Sequence, residues 1–235
     1  MYELLVVGIA IGFAFGLIIA ARYIRRIARG DPTVWEREVS KFRKHDELNP
    51  PNPGMIVFTG SSSIRYWKTL KEDLAPLPVL NRGFGGSRIP DVIHYAQEFV
   101  ISYQPKGVVF YAGENDITGL ILSRKHTAEE VRDNFRTFCE LIQREYPSIP
   151  IFFISVKPPK RRKKFWAIMK EANQLIKSYC DTSESLHYID IVTPMLNSEG
   201  QVNPALFRWD GIHMNDEGYR IWTSVIKPIL IAIYE

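Results

Sequence analysis

The chain has 235 residues, enough for one sizeable α/β domain or two very small ones. Apolar residues make up 46% and charged residues 24%, which excludes a disordered, collagen-like or low-complexity chain because apolar surface is available to offset ordering entropy. Two cysteines, Cys139 and Cys180, exclude a disulfide scaffold or a cysteine-based metal cage. The formal net charge of +4 with a pI near 9.0 is unevenly placed. Arg22, Arg25, Arg26 and Arg29 against Glu3 leave +3 in the first 30 residues, so the other 205 carry only +1.

That same first segment holds 18 consecutive uncharged residues, 4–21 (LLVVGIAIGFAFGLIIAA). As a helix they span roughly 27 Å, close to the hydrocarbon thickness of a bilayer. A cleaved signal peptide would want positive charge before the run and a small-residue cleavage site after it. Here Met1-Tyr2-Glu3 precedes and arginines follow. A buried core helix rarely runs this long without a polar residue. Residues 1–30 therefore read as a transmembrane anchor, and the arginine flank places the following domain on the cytoplasmic side. Gly8, Gly12 and Gly16 recur every fourth residue, a spacing that lets helices approach and suggests a homo-oligomer through that face.

Residues 31–54 read as a connector. Asp31-Pro32-Thr33 is a helix start, with an N-cap acid and proline at the first helical position. Val34, Trp35, Val39 and Phe42 follow near helical spacing before Asn49-Pro50-Pro51-Asn52-Pro53-Gly54 stops the helix. An amphipathic helix over 32–47 would pack on the globular domain or lie on a membrane surface. From residue 55 to 235, five short apolar runs (55–59, 79–81, 108–111, 151–156, 187–190) alternate with helical stretches (63–72, 90–103, 127–145, 163–181, 216–233). Thr127 and Glu130 form a capping box at the start of the third of these. Alternation implies parallel strands with helices on both faces: a three-layer α/β/α sandwich around a mainly parallel five-stranded sheet.

In such sheets chemistry gathers at the carboxyl ends of the strands. After the first strand, Gly60-Ser61-Ser62-Ser63 exposes hydroxyls at a helix start, where amides favour developing negative charge; serine runs also serve simply as caps. The second is followed by Asn81-Arg82-Gly83-Phe84-Gly85-Gly86, a turn with close backbone approach, and the third by Gly113-Glu114-Asn115-Asp116, where an Asn amide could donate or merely turn the chain. Before the last helix, Asp210 and His213 sit three apart, a spacing at which a carboxylate can orient an imidazole. The remaining histidines, 45, 94, 126 and 187, are scattered and read as surface or core residues. No phosphate loop, dinucleotide fingerprint or metal-ligand set appears.

The order Gly-x-Ser, Gly-rich turn, Gly-x-Asn-Asp and Asp-x-x-His resembles the SGNH (GDSL) hydrolase family, nearest to its platelet-activating-factor acetylhydrolase catalytic-subunit type. The resemblance runs from about residue 55 to the end. It implies a flavodoxin-like fold and a serine esterase with Ser62 as nucleophile, His213 as base and Asp210 orienting it. It also implies an oxyanion hole of the Ser62 and Gly86 amides with the Asn115 side chain, and no metal or organic cofactor. The family usually carries Asp just before the nucleophile where this chain has Ser61, so Ser61 and Ser63 stand as alternatives. Its substrates are carboxylic or thio esters, lysophospholipids and acetylated sugars among them, and the anchor favours lipid-derived ones. A polysaccharide O-deacetylase and a catalytically silent membrane-tethered scaffold are the alternatives. The run Lys160-Arg161-Arg162-Lys163-Lys164, at the same edge of the sheet, faces either anionic groups or solvent, and Arg65, Arg82 and Arg88 stand near enough to read a substrate charge. The basic run lacks the fold and aromatic interleaving of a nucleic-acid binder.

Overall fold

Apolar runs rich in Ile, Val and Phe form five strands: β1 (Ile56–Gly60), β2 (Val79–Gly83), β3 (Gly107–Tyr111), β4 (Ile151–Ile154) and β5 (Leu186–Ile189). They pair parallel in the order β2-β1-β3-β4-β5. The central strands β1, β3 and β4 are buried along their whole length, whereas the edge strands β2 and β5 are buried at their ends and only partly buried between. That pattern is what helices on both faces produce. The computed structural model describes residues 2–119, 123–158 and 160–234, with side chains from Gly12 onward.

The first helices are α1 (Tyr2–Arg29), α2 (Glu36–Leu48), α3 (Ser62–Arg65), α4 (Leu70–Asp73) and α5 (Ile89–Phe99). They are followed by α6 (Glu114–Thr118), α7 (Ala128–Glu145), α8 (Trp166–Cys180) and α9 (Asp216–Tyr234). One core cluster joins the sheet to α5, α7 and α8, with Val39 of α2 at its margin. The other joins the opposite face to α9 and the α3–α4 segment. At α7 the capping box forms in both directions, with the Glu130 amide donating to Thr127 Oγ1 (3.3 Å) and the Thr127 amide donating to Glu130 Oε2 (2.9 Å).

Three details differ from the sequence reading. The helix expected over 63–72 breaks into α3 and α4, because Asn81 Nδ2 of β2 donates to the carbonyls of Ile64 (2.7 Å) and Trp67 (3.3 Å), diverting them from a continuous helical ladder. The helix expected over 90–103 ends at Phe99 and continues as a 3₁₀ turn, Ile101–Tyr103, closed by a left-handed Gln104. The short α6 arises in a segment read as a turn.

The connector begins as a 3₁₀ turn, Pro32–Trp35, with Asp31 Oδ1 accepting the Thr33 amide at 2.9 Å, and continues as α2. It lies on the globular domain. Val39 is fully buried, Phe42 packs edge-on against Phe99 at 5.4 Å, and Asp46 accepts from Arg82 and Tyr103, both at 2.5 Å. The apolar stretch of α1 leaves Phe13, Phe15, Leu17, Ile18 and Ile19 exposed, and Gly12 and Gly16 face open space. Among the described residues no helix is long and apolar enough to cross a membrane. The expected span begins in residues 4–11, and Gly8 of the expected association face falls there too; their side chains lie outside those described.

Gly60 is where the sheet delivers the chain to the site. Its φ is +133°, and a Cβ there would stand 1.9 Å from the Tyr111 carbonyl oxygen. That approach lets the Ser61 amide donate to the same oxygen at 2.8 Å and the Phe84 amide donate to Gly60 O at 3.0 Å, locking three strand ends together. Gly60→Ala is expected to lower the unfolding free energy by about 3 kcal/mol or more. Denaturant melts of the two proteins measure it, and a loss below 1 kcal/mol on the same scale would mean the turn adapts.

Candidate active site

Strand order reverses direction between β1 and β3, so the turns that follow them flank the crevice at the carboxyl edge of the sheet. Ser62 follows β1, Gly86 follows β2 and Asn115 follows β3. Asp210 and His213 come from the loop ahead of α9, which packs through Tyr219 and Trp222 beneath α3. Ser62, Gly86, Asn115 and His213 all line one cavity of about 270 Å³.

The geometry joins the expected residues directly. Ser62 Oγ lies 2.9 Å from His213 Nε2, and His213 Nδ1 lies 2.7 Å from Asp210 Oδ2. Asp210 Oδ1 accepts the amides of Ile212 (2.8 Å) and His213 (2.9 Å). Burial by itself would raise the Asp210 carboxyl, but these hydrogen bonds and the imidazole beside it outweigh burial and hold it at about 2. It therefore stays ionised far into acid and keeps His213 in one orientation. The Tyr66 ring meets the imidazole edge-on at 4.8 Å. Of the three serines only Ser62 meets His213; Ser61 and Ser63 are buried, with relative exposures of 4% and 2%. Asn115 donates through Nδ2 to the Ser87 carbonyl at 3.2 Å, and its Oδ1 accepts from Arg162 Nη1 at 3.3 Å. One Nδ2 hydrogen is left free of that bond. Such an arrangement can take a proton from a hydroxyl and present N–H groups to a nearby oxyanion.

Beneath Asn115 lies a buried charge cluster. Glu114 pairs with the fully buried Lys157 and with Arg162 Nη1 at 3.0 Å, and Lys157 Nζ donates to Tyr111 Oη at 3.2 Å. Burial opposes ionisation of both, yet Lys157 and Arg162 push the Glu114 carboxyl down and Glu114 pushes the Lys157 ammonium up, so the pair stays charged. The basic run thus divides: Arg162 reaches the site, Arg161 Nη1 donates to the Asp210 carbonyl at 3.5 Å, and Lys164 sits over the Phe165 ring. Arg65 lines the cavity, but Arg82 and Arg88 do not. They are buried against Asp46 and Asp91, at 2.5 and 3.2 Å, and cannot read a substrate charge.

Two wall residues were not anticipated, because they come from the connector. Trp35 packs so closely on Gly85 that a Cβ there would stand 2.1 Å from its ring, and Glu38 Oε2 accepts the Gly85 amide at 2.6 Å. Glu38 also pairs with Arg65 at 2.9 Å. The signal available was only an aromatic and an acid on the inward face of an amphipathic helix. No cluster of three or more His, Cys, Asp or Glu side chains fit to hold a metal occurs among the described residues.

A parallel α/β/α sheet with a Ser–His–Asp chain at its carboxyl edge is the layout of an ester-cleaving hydrolase. The chain belongs to the GDSL-like Lipase/Acylhydrolase family, whose family model matches residues 53–221. Among solved structures it is similar to a GDSL-like lipase from Bacteroides thetaiotaomicron, with a TM-score of 0.68, 20% identity and coverage of 83% of this chain and 97% of that one. It is also similar to a lipase/acylhydrolase from Enterococcus faecalis, with a TM-score of 0.65, 21% identity and coverage of 77% and 96%. A curated relative, an N-acylneuraminate cytidylyltransferase from Escherichia coli O18:K1:H7, is 22% identical over 178 residues; they make up 74% of this chain but only 40% of that protein.

Lys157→Met, which strands the Glu114 carboxylate, is expected to cost about 3–5 kcal/mol in unfolding free energy. Adding Glu114→Gln should return most of it. Equal stability of the single and double variants in urea melts would show that Arg162 alone balances Glu114.

Proposed function

We propose that the protein is a serine esterase in which Ser62 attacks a carboxylic or thio ester and passes through an acyl-enzyme. The observation that carries this is the hydrogen-bonded chain of 2.9 and 2.7 Å from Ser62 through His213 to Asp210. His213 Nε2 takes the Ser62 proton as Oγ bonds to the carbonyl carbon, and Asp210 stabilises the imidazolium. The carbonyl oxygen becomes an oxyanion met by the Ser62 and Gly86 amides and the Asn115 Nδ2 hydrogen. Collapse of this intermediate breaks the ester C–O (or C–S) bond, and His213 returns the proton to the departing alcohol or thiol. Water, deprotonated by the same imidazole, then attacks the acyl-enzyme, releases the carboxylic acid and restores Ser62.

Ser62→Ala should abolish hydrolysis of a short-chain p-nitrophenyl ester while leaving the melt unchanged. Asn115→Ala should lower kcat by about 10²–10³-fold, the usual effect of removing one oxyanion donor. Undiminished turnover by Ser62→Ala would sink the assignment, and a fluorophosphonate label mapped to Ser61 or Ser63 would move the nucleophile.

In the same reading α1 holds the enzyme to a membrane with its catalytic domain on the cytoplasmic face. The supports are the uncharged run of 18 residues, the exposed Phe13, Phe15, Leu17, Ile18 and Ile19, and the arginine flank. The full chain is expected in the membrane fraction after alkaline carbonate washing; release into the supernatant would remove the anchor.

A further inference from the structure

Gly85 and Gly86 follow one another with no side chain to restrict the peptide plane between them. Neighbouring residues hold the ends of their turn. The Phe84 amide and Ser87 Oγ donate to the Gly60 carbonyl at 3.0 and 3.2 Å, and the Ser87 carbonyl accepts from Asn115 Nδ2 at 3.2 Å. Between those ends Gly86 lines the cavity that holds Ser62 and His213, and its amide meets no acceptor among the described residues. Gly85, by contrast, is buried, and its amide donates to Glu38 Oε2 at 2.6 Å. A carboxylate acceptor makes such a bond about twice as strong as a neutral one does.

Glu38 reaches this turn from a helix that is itself fixed. Val39 is fully buried, Phe42 packs on Phe99 at 5.4 Å, and Asp46 pairs with Arg82 at 2.5 Å. In the 3₁₀ turn ahead of that helix, the Pro32 carbonyl accepts from Tyr95 Oη at 3.3 Å. The carboxylate is also held from a second side, because Oε1 pairs with Arg65 Nη1 at 2.9 Å. One oxygen thus faces α3, which Ser62 opens, and the other faces the glycine turn. Trp35 blocks the remaining space, since a Cβ on Gly85 would stand 2.1 Å from its ring. With its amide tied and one side blocked, Gly85 is kept at a φ of +40°. The plane that carries the Gly86 amide then hangs on one more torsion, whose far end Ser87 pins.

Resting on the esterase reading above, we propose that Glu38 is a positioning residue for the reaction: by holding the Gly85 amide it aims the Gly86 amide at the ester oxyanion. Glu38 lies ahead of residue 53, where the family model begins, so the connector completes a site that the matched segment holds only in part. The carboxylate touches no reacting atom. Its role requires an acceptor oxygen at that reach, and the charge strengthens the bond.

The test uses the full chain in detergent, p-nitrophenyl acetate and three substitutions. Glu38→Asp keeps the charge but withdraws it by one methylene, and should lower kcat about 10–100-fold while KM stays within about twofold. The loss falls on kcat because the oxyanion does not exist in the ground state. Glu38→Gln keeps an acceptor oxygen at the same reach and should lose much less. Glu38→Ala should fall at least as far as Glu38→Asp. A Gln variant impaired as much as the Asp variant, or more, overturns the proposal, because the ion pair with Arg65 would then be the working contact. Unchanged kcat in the Asp and Ala variants, or a rise in KM alone, overturns it as well. Where Glu38→Ala fails to fold, the Asp and Gln variants decide. Phenylboronic acid gives a measure independent of turnover, since its adduct with a serine oxygen carries negative charge. Its affinity should fall in Glu38→Asp in step with kcat, and unchanged affinity overturns the proposal. Ser62→Ala, run alongside, separates the two readings. Full turnover there removes the esterase itself, whereas its loss there with full turnover in Glu38→Asp removes only the role of Glu38.

Discussion

The hydrogen bond from Ser62 to His213 joins residues 151 apart in the chain, and most of the architecture can be understood as what holds those two atoms 2.9 Å apart. Neither end is fixed by local structure alone. Ser62 opens a helix of only four residues, and His213 lies in a loop. The serine end is set by the sheet, because Gly60 brings β1 against the Tyr111 carbonyl and Ser61 donates to that oxygen. The histidine end is set by α9, whose Tyr219 and Trp222 pack on Trp67 two residues beyond Arg65. Tyr219 Oη also donates to the Ser63 carbonyl at 2.8 Å, a direct strut between α9 and α3. Misplacement by 1 Å would remove the proton-transfer geometry, so under the proposed mechanism the packing of both core layers is a catalytic requirement as much as a stabilising one.

The charged cluster of Glu114, Lys157 and Arg162 plays the matching part for Asn115, the proposed oxyanion donor. A buried pair of this kind gives little net stability compared with apolar packing, since desolvation offsets the attraction. What it provides here is position. Lys157 follows β4 and Glu114 follows β3, so their contact ties two neighbouring strand ends together. Arg162 extends the tie to Asn115 Oδ1, which fixes that amide's orientation and commits Nδ2 to the donor role. With Nδ2 also bound to Ser87 O, the side chain has one remaining hydrogen and one direction in which to give it.

Much of this was legible from the residues. Five parallel strands with helices on both faces follow from alternation and the rule of right-handed crossovers, whereas the order β2-β1-β3-β4-β5 does not; Ser62, Asp210 and His213 follow from the order of the motifs, although each motif alone is weak. What escaped has a common physical cause: it depends on contacts between segments distant in sequence. The break between α3 and α4 exists because Asn81, on the edge strand, captures carbonyls that a helix would have used. Lys157 stands three residues before the basic run with nothing in the sequence to set it apart, and only the fold shows it buried against Glu114. Arg82 and Arg88 looked available to substrate because their partners, Asp46 and Asp91, cannot be assigned from periodicity.

The connector is the clearest case of such a distant contribution. The family model begins at residue 53, yet Trp35 and Glu38 lie in the wall of the candidate site and Glu38 accepts the amide of the residue before Gly86. A carboxylate holding that turn constrains the direction of the next amide along the chain, since successive peptide planes share a Cα and leave only two soft torsions between them. Trp35 adds a steric limit from the same side, because Gly85 with φ of +40° has no room to swing toward it. The Gly85-Gly86 turn is therefore held from outside the family's matched segment, by a helix that is itself tied down at Val39, Phe42 and Asp46. α1 runs into that helix through a turn where Arg26 meets Asp31 at 2.7 Å, so the first helix and the wall of the candidate site are joined through this one turn.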